Sequence, residues 1–384
     1  MFEPISAPAV PLDTVELVRQ KITPYFTVAD TTLDIPRSGH FRFRGRLLVD
    51  SQQAFLKFEH IFASYGYTPL LRHEQGYDTL VGLPIQFTPS TGRWQINLLL
   101  FLATVLSTLF AGALNEPAYT QLLDTAITQN QFDPQIIWQL WRGWPFCLSI
   151  MLILGAHELG HYFAARHHGV AATLPYFIPL PFSPFGTLGA VIVQRGPSRN
   201  VRVQFDIGAS GPLIGLLFAI PILLIGLFTS VVQPLPPPPY MLEGNSILYS
   251  LLKFLVYGQF LPQNGQDVLL NQVAWAGWTG LFVTGLNLLP VGQLDGGRVT
   301  QAILGEATLR KLFWPILIAL GLFSFLAGAP TWVLLIALLF VFGNRYEQPL
   351  DSITQLDSRR RKIGWFTMLL FLLLFVPIPL QMIN

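Results

Sequence analysis

The chain has 384 residues, of which 52% are hydrophobic and only 11% are charged, with a mean hydropathy of +0.49. This composition excludes an average soluble domain, in which about a quarter of the residues are charged. The formal net charge of +2 gives no indication of a nucleic-acid partner, and we expect none.

Residues 1–94 are more polar than the remainder and predict a small α+β domain that is separate from the membrane region. The predicted elements are a strand at His40–Val49, a helix at Ser51–Ser64 and strands at Tyr67–Arg72 and Tyr77–Leu83. The arginines of this region favour a solvated face, and contact with a membrane surface or a partner is the alternative. We expect no cleavable signal peptide, because acidic residues interrupt the first segment.

Several apolar runs reach or approach the length of about 20 residues that a membrane-crossing helix needs. They are Gln95–Leu114, Trp144–His168, Ile207–Val231, Val273–Leu289, Leu312–Gly343 and Ile363–Pro379. The fifth run is too long for one crossing and contains Gly328, Ala329 and Pro330, so we divide it. The sequence therefore predicts a polytopic all-α membrane protein of about seven transmembrane helices. Cys147 is the only cysteine, which excludes a disulfide within the chain.

Lysine and arginine are distributed unequally between alternate loops, and cytoplasmic loops carry the excess of these residues. One side receives Arg93, Arg166, Arg195, Arg199, Arg202, Arg298, Arg310, Lys311, Arg345 and the run 359–362, whereas the other receives only Arg142 and Lys253. This predicts a cytoplasmic, or stroma-like, location for the N-terminus and for the end of the second span, and an external C-terminus.

The segment HELGH, residues 157–161, lies inside the second predicted span. His157 and His161 are four residues apart and so share one helical face, where two imidazoles can bind one zinc ion. Glu158 points to a neighbouring face and can reach a water bound to the metal, as the general base of a hydrolase. A pair of hydrogen-bonded core histidines is the alternative, although unpaired polar groups are costly in lipid.

Zinc requires a third protein ligand, and the chain offers two acidic candidates at membrane depth. Asp206 opens the third span, where an N-cap is the favoured interpretation. Asp295 follows Pro290 in a glycine-rich turn and lies near the same membrane side as His157, which is about 20 Å along its helix from Trp144. Asp295 is therefore the stronger candidate.

Three further segments do not fit the pattern of a long membrane-crossing helix. Leu174–Gln194 is rich in Pro, Phe and Gly and ends in an extended run that predicts a β-hairpin sheltered near the site. A strand edge there, including Gly189 and Val191, could bind an unwound substrate, and a purely structural hairpin is equally compatible. Leu235–Pro239 predicts a stiff spacer, and Ser246–Phe260 is a short apolar segment at or in the membrane.

Three motifs together resemble the site-2 protease family of zinc intramembrane metalloproteases, and its chloroplast and cyanobacterial branch with an N-terminal extension. The motifs are HELGH (157–161), FDIGASGPLIG (205–215) and NLLPVGQLDGG (287–297). The resemblance implies a metalloprotease domain at 95–384 with its core at 144–305. It also implies one zinc ion held by His157, His161 and Asp295, with Glu158 as catalytic base.

The resemblance further implies that Asn287 binds substrate or stabilises an oxyanion. Val291, Gly292 and Gln293 replace the Pro-x-Pro of many members, which affects the expected loop shape. The expected function is an endopeptidase that acts in regulated intramembrane proteolysis, with membrane-protein substrates and the lipid bilayer as partners. A catalytically silent metal-binding scaffold and a metal-ion transporter are the alternatives. The sequence does not specify the substrate or the oligomeric state.

Overall fold

The computed structural model describes residues 10–35, 37–87, 92–328, 331–343 and 346–383. The chain divides into two compact units. The first, here called the sheet unit, takes in Met1–Ser90, Arg195–Gln204 and Glu347–Arg360. The second, here called the helical unit, takes in Thr91–Gln194, Phe205–Tyr346 and Arg361–Asn384.

The sheet unit is an antiparallel four-stranded sheet with two helices. Its elements are α1 (Leu12–Ile22), β1 (Phe26–Leu33), β2 (Phe41–Leu47), α2 (Ser51–Ala63), β3 (Thr68–Glu74) and β4 (Tyr77–Leu83), and the strand order is β1-β2-β4-β3. The predicted helix and three strands coincide with α2, β2, β3 and β4 to within three residues at their ends. Neither α1 nor β1 was predicted from the sequence.

The core of the sheet unit forms because the apolar side chains of β2, which alternate along the strand, and those of α2, which follow the helical repeat, face each other. Phe41 and Phe43 alternate to the same side of β2, and Phe55, Phe58 and Phe62 follow the helical spacing of α2. All five side chains are fully buried. Burial of this aromatic cluster holds α2 against the sheet.

Two segments from outside residues 1–94 complete the sheet unit. The Leu71 backbone N–H on the edge strand β3 donates to Leu350 O over 2.8 Å, and Ser352 N–H donates to Leu71 O over 3.1 Å. Arg199 forms an ion pair of 2.8 Å with Glu59 on α2. An edge strand has unpaired backbone groups, and the two hydrogen bonds of Leu71 satisfy such groups on β3. The predicted assignment of these segments to the 95–384 domain therefore differs from the compact units of the structure.

The helical unit contains most of the chain. Its helices are α3 (Trp94–Ala113), α4 (Pro117–Thr128), α5 (Gln135–Trp138), a 3₁₀ turn at Gln139–Gly143, α6 (Trp144–His167), α7 (Val201–Phe228), α8 (Ile247–Tyr257), α9 (Gln272–Asn287), α10 (Asp295–Leu304), α11 (Glu306–Ala327), α12 (Thr331–Phe342) and α13 (Ser358–Leu374). The first residues of α7 and of α13 belong to the sheet unit.

Four helical segments in the described part of the chain are long and apolar enough to cross a membrane. They are Trp94–Ala113, Gln135–His167, Val201–Phe228 and Glu306–Leu326. The chain is thus a mostly helical, multi-pass membrane protein. The other three predicted crossings coincide with α9, α12 and α13, which have 16, 12 and 17 residues. At about 1.5 Å per residue, each is shorter than a hydrocarbon core of about 30 Å, so seven crossings remain a prediction.

Three small two-stranded sheets join the helices. β5 (Tyr176–Pro179) pairs with β6 (Thr187–Val191), β7 (Val231–Pro234) pairs with β9 (Gln266–Leu269), and β8 (Tyr240–Glu243) pairs with β10 (Leu380–Ile383), all antiparallel. The β5–β6 hairpin lies within the segment that was predicted to be extended. The proline-rich segment connects β7 to β8, and the short apolar segment after it contains α8.

Candidate active site

The two histidines and the glutamate of HELGH are buried on α6. His157 Nε2 lies 3.2 Å from His161 Nε2, as expected for side chains one helical turn apart. The side chain of Glu158 between them is buried as well. Burying a polar group costs free energy unless the group has a hydrogen-bond partner. Residues of α7 and α10 provide such partners for the histidines.

Asp295 is the first residue of α10, and its side chain reaches the histidine pair. Its Oδ2 lies 3.2 Å from the Nε2 of His157 and 3.2 Å from the Nε2 of His161. The preceding turn is tight enough that a Cβ on Gly296 would lie 1.9 Å from Leu288 O. Only glycine allows the chain to return this closely, and the return brings Asp295 to α6.

The three ligand atoms form a nearly equilateral triangle whose sides are all 3.2 Å. In a tetrahedral zinc site with ligands at about 2.0–2.1 Å, two ligand atoms are about 3.3 Å apart. His157, His161 and Asp295 therefore have the chemistry and the spacing of a zinc-binding set with a fourth position open. They form a group of potential metal ligands among the described residues.

A main-chain contact from α7 orients one of the imidazoles. His161 Nδ1 lies 2.7 Å from Ile207 O and donates its proton to that carbonyl. In the neutral ring, this contact leaves Nε2 unprotonated and part of the triangle, which is the tautomer that a metal requires. The carbonyl thus acts through His161 as a positioning group.

Glycines permit α7 to lie directly against the histidines. A Cβ on Gly211 would lie 2.1 Å from His161 Nε2, and one on Gly215 would lie 3.0 Å from His157 Nδ1. Both glycines belong to the segment FDIGASGPLIG, one of the three motifs that carry the family resemblance. Their function in the fold is to leave room for the imidazoles.

Glu158 receives a hydrogen bond from outside its own helix. The backbone N–H of Ile192, which directly follows β6, donates to the Glu158 carboxylate. This contact holds the carboxylate beside the hairpin and next to the histidine pair. Sequence reasoning missed both Ile192 and Ile207, because each acts through a main-chain group that its residue type does not reveal.

The proposed substrate-binding residues lie on two elements. Asn287, the last residue of α9, has its Nδ2 3.4 Å from His157 Nε2. Gly189 lies in β6 with a φ of +106°, and Val191 ends the same strand with an exposed side chain. The structure therefore brings Asn287 to the histidine pair, and it sets Gly189 and Val191 on the strand that precedes Ile192.

The favoured N-cap role of Asp206 is wrong. The helix α7 begins at Val201, and Asn200 Oδ1 accepts the Val203 N–H over 3.0 Å at its start. Asp206 lies within the helix, where its Oδ2 is 2.9 Å from His168 Nε2. The additional helical turn arises because Asn200 caps α7 earlier in the chain than the apolar run indicates.

Comparison with known proteins shows which family the region of the site resembles. Residues 145–328 match Peptidase family M50. Arabidopsis thaliana "Probable zinc metalloprotease EGY1, chloroplastic" is 29% identical over 305 residues, which are 75% of this chain and 54% of the relative. "Probable zinc metalloprotease EGY2, chloroplastic" of the same organism is 32% identical over 244 residues, which are 62% of this chain and 42% of the relative.

The chain spans about half the length of these curated relatives, and no solved structure matches it significantly. The names of the relatives agree with the predicted enzyme class, with zinc as the metal and with the chloroplast branch. The predicted family resemblance is confirmed. Residues 145–328 of this chain are thus similar to Peptidase family M50, in agreement with the resemblance to site-2 proteases that the motifs indicate.

Proposed function

We propose that this chain is a zinc-dependent endopeptidase that hydrolyses peptide bonds in or beside the transmembrane segments of membrane proteins, in regulated intramembrane proteolysis. The observation that carries the proposal is the triangle of 3.2 Å sides formed by His157, His161 and Asp295. The buried histidines lie on a helix that is long and apolar enough to span a membrane. A site at this depth suits a substrate that is itself embedded in lipid.

In this proposal, His157, His161 and Asp295 hold the zinc ion, and Glu158 is the general base. When bound, zinc supplies a Lewis acid that polarises the scissile carbonyl and lowers the pKa of the attacking water. Glu158 takes a proton from that water and passes it to the leaving amine. The hydrogen bond from Ile192 N–H supports this role, since it keeps the carboxylate in one position.

The substrate is proposed to bind in extended form along β6, with Gly189 and Val191 in contact, and Asn287 to donate to the scissile carbonyl. A helix hides its peptide bonds, so a transmembrane substrate must unwind, and addition to a strand replaces the backbone hydrogen bonds it loses. The position of Ile192 directly after β6 supports this arrangement. A peptide on this strand would lie close to Glu158.

We propose further that the helix ends near the site face the cytoplasm or a stroma-like compartment. The support is the excess of lysine and arginine in the loops assigned to that side. Membrane-protein substrates would then reach the site within the bilayer, and water would enter from the basic side.

The test separates metal binding from catalysis with isosteric substitutions. We expect Glu158→Gln to retain one zinc per chain and to slow cleavage of a membrane-protein substrate by at least about 100-fold, because the general base is lost. We expect Asp295→Asn to lose both zinc and cleavage, because the third ligand is lost. The measurements are metal content of the purified protein and cleavage in reconstituted membranes.

Asp206→Asn is the matched control, since Asp206 pairs with His168 rather than with the ligand atoms. It should retain zinc and activity. Full cleavage by Glu158→Gln would contradict the assigned mechanism. Wild-type protein that binds zinc but cleaves no membrane substrate would favour a scaffold, and metal flux in proteoliposomes that His157→Ala abolishes would favour a transporter.

A further inference from the structure

A cavity of about 200 Å³ lies in the helical unit between two of its small sheets. Its lining includes Glu243 from β8, Asp267 from β9 and Trp275 from the first turn of α9. Asn287, at the far end of α9, contacts His157, and it is 12 residues or about 18 Å along the helix from Trp275. The cavity is therefore separate from the metal site.

The carboxylate of Asp267 is only partly satisfied, although its residue is 3% exposed. Its Oδ1 accepts the Val268 N–H over 2.7 Å and lies 3.3 Å from Lys253 Nζ. Its Oδ2 has no hydrogen-bond partner among the residues that the structure describes. A buried carboxylate oxygen without a partner leaves its negative charge poorly compensated, so Asp267 can attract a cation into the cavity that it lines.

The charges around the cavity do not balance when both of its carboxylates are ionised. Glu243 and Asp267 are both buried and carry two negative charges when ionised, whereas the fully buried Lys253 carries one positive charge. The Tyr249 hydroxyl donates to Glu243 Oε1 over 3.0 Å but brings no charge. Burial raises the pKa of Glu243, which favours its neutral form when no cation is bound. A cation bound in the cavity would favour the ionised form of Glu243 and would balance its charge.

The lining favours an organic cation over a metal ion. Trp275 and Tyr240 contribute aromatic surface, and ammonium groups bind both to aromatic faces and to carboxylates. The ammonium of Lys253 already lies against Asp267, where it would repel a divalent ion about twice as strongly as a monovalent one. Two carboxylates also fall short of the roughly six to eight oxygen ligands that Ca²⁺ takes in proteins.

We propose that this cavity is a binding site for one alkylammonium group, which Glu243 and Asp267 hold by charge and Trp275 covers with its ring. The group could belong to a lysine side chain of a bound peptide or to a free amine. Binding of an ammonium group at this site does not require proteolysis. The binding proposal can therefore be tested independently of the function proposed for the metal centre.

The test is calorimetric titration of the full chain, purified in detergent, with three probes. They are the capped peptide acetyl-Gly-Lys-Gly-amide, the same peptide with norleucine in place of lysine, and n-butylammonium chloride. We expect the lysine peptide to bind saturably and the norleucine peptide to bind at least about tenfold more weakly, since a buried charge pair is lost. Binding of n-butylammonium as tight as the peptide indicates a free amine, and tighter peptide binding indicates a protein side chain.

Glu243→Gln is the decisive variant, because it removes one charge and leaves the ion pair between Lys253 and Asp267 intact. We expect it to abolish the preference for lysine over norleucine, whereas Glu74→Gln, the same change at an exposed position, should preserve it. A thermal midpoint close to that of wild type shows that the variant folds. Equal binding of the two peptides to wild type, no binding up to about 10 mM, or an unchanged preference in Glu243→Gln would each overturn the proposal.

Discussion

Single main-chain groups position the side chains of the candidate metal site. The carbonyl of Ile207 accepts the Nδ1 proton of His161, and the N–H of Ile192 donates to Glu158. Each contact restricts a side chain with a proposed catalytic or ligand role to one orientation, which would lower the entropic cost of reaching the reactive geometry. Asn287 differs from these groups because its side-chain amide is itself close to the ligand set.

Asn287→Ala tests the proposed contact with the scissile carbonyl. We expect kcat to fall by about 10²–10³, the usual cost of removing one oxyanion donor, while zinc content stays unchanged. Asn271→Ala is the matched control, because Asn271 caps the opposite end of the same helix by accepting from Val273 N–H and Ala274 N–H. It should lower stability by about 1 kcal/mol and leave kcat unaltered. A kcat loss in both variants would assign Asn287 a merely structural role.

At the scale of elements, the site depends on how closely α6 and α7 approach. Helix axes are commonly 8–10 Å apart, and the shorter separations require small residues at the contact. Gly211 and Gly215 occupy that contact, with the two imidazoles directly opposite. Two helices that are separate in sequence thus form one rigid support for the proposed metal ligands.

Gly211→Ala should displace His161 and lower zinc occupancy at least about tenfold, because the new methyl group would lie 2.1 Å from its Nε2. Gly155→Ala is the control on α6, where a Cβ meets no other atom within 4 Å. This control should retain zinc and be slightly more stable, since alanine favours a helix. Metal analysis of both purified variants is the measurement. Normal zinc content in Gly211→Ala would contradict the close packing.

The hairpin strand β6 gives a second element-scale prediction. A photo-crosslinking amino acid at the exposed position Val191 should form adducts with a bound transmembrane substrate, because the strand is the proposed docking edge. The same group at the exposed position Leu106 on α3 should give few or none. Mass spectrometry of the crosslinked products identifies the partner. Equal yields at both positions would argue against docking along β6.

At the scale of the whole molecule, orientation in the membrane decides which compartment supplies water. Cys147 is the only cysteine and is buried, so a Cys147→Ala background is free of reactive thiols. We then expect Gln131→Cys to react with an external, membrane-impermeant maleimide, and His167→Cys to react only after permeabilisation. Both positions are exposed, which makes them comparable. Labelling of His167→Cys from outside would reverse the proposed orientation.

The sequence by itself determined the features that depend on local spacing. A separation of four residues puts His157 and His161 on one helical face, and the apolar runs predict membrane helices without reference to any other segment. The glycine-rich turn after Pro290 likewise made Asp295 the stronger candidate for a third ligand. These inferences are possible from the sequence because helical periodicity and chain reversal are properties of a few consecutive residues.

Only the tertiary structure decided which distant groups meet. It brought Asp295 within 3.2 Å of two histidines more than 130 residues away, and it paired Asp206 with His168 instead of the start of its helix. It also assigned 195–204 and 347–360 to the sheet unit, where they satisfy the edge of β3. Such contacts involve main-chain donors and acceptors that every residue possesses, so residue type carries no signal for them.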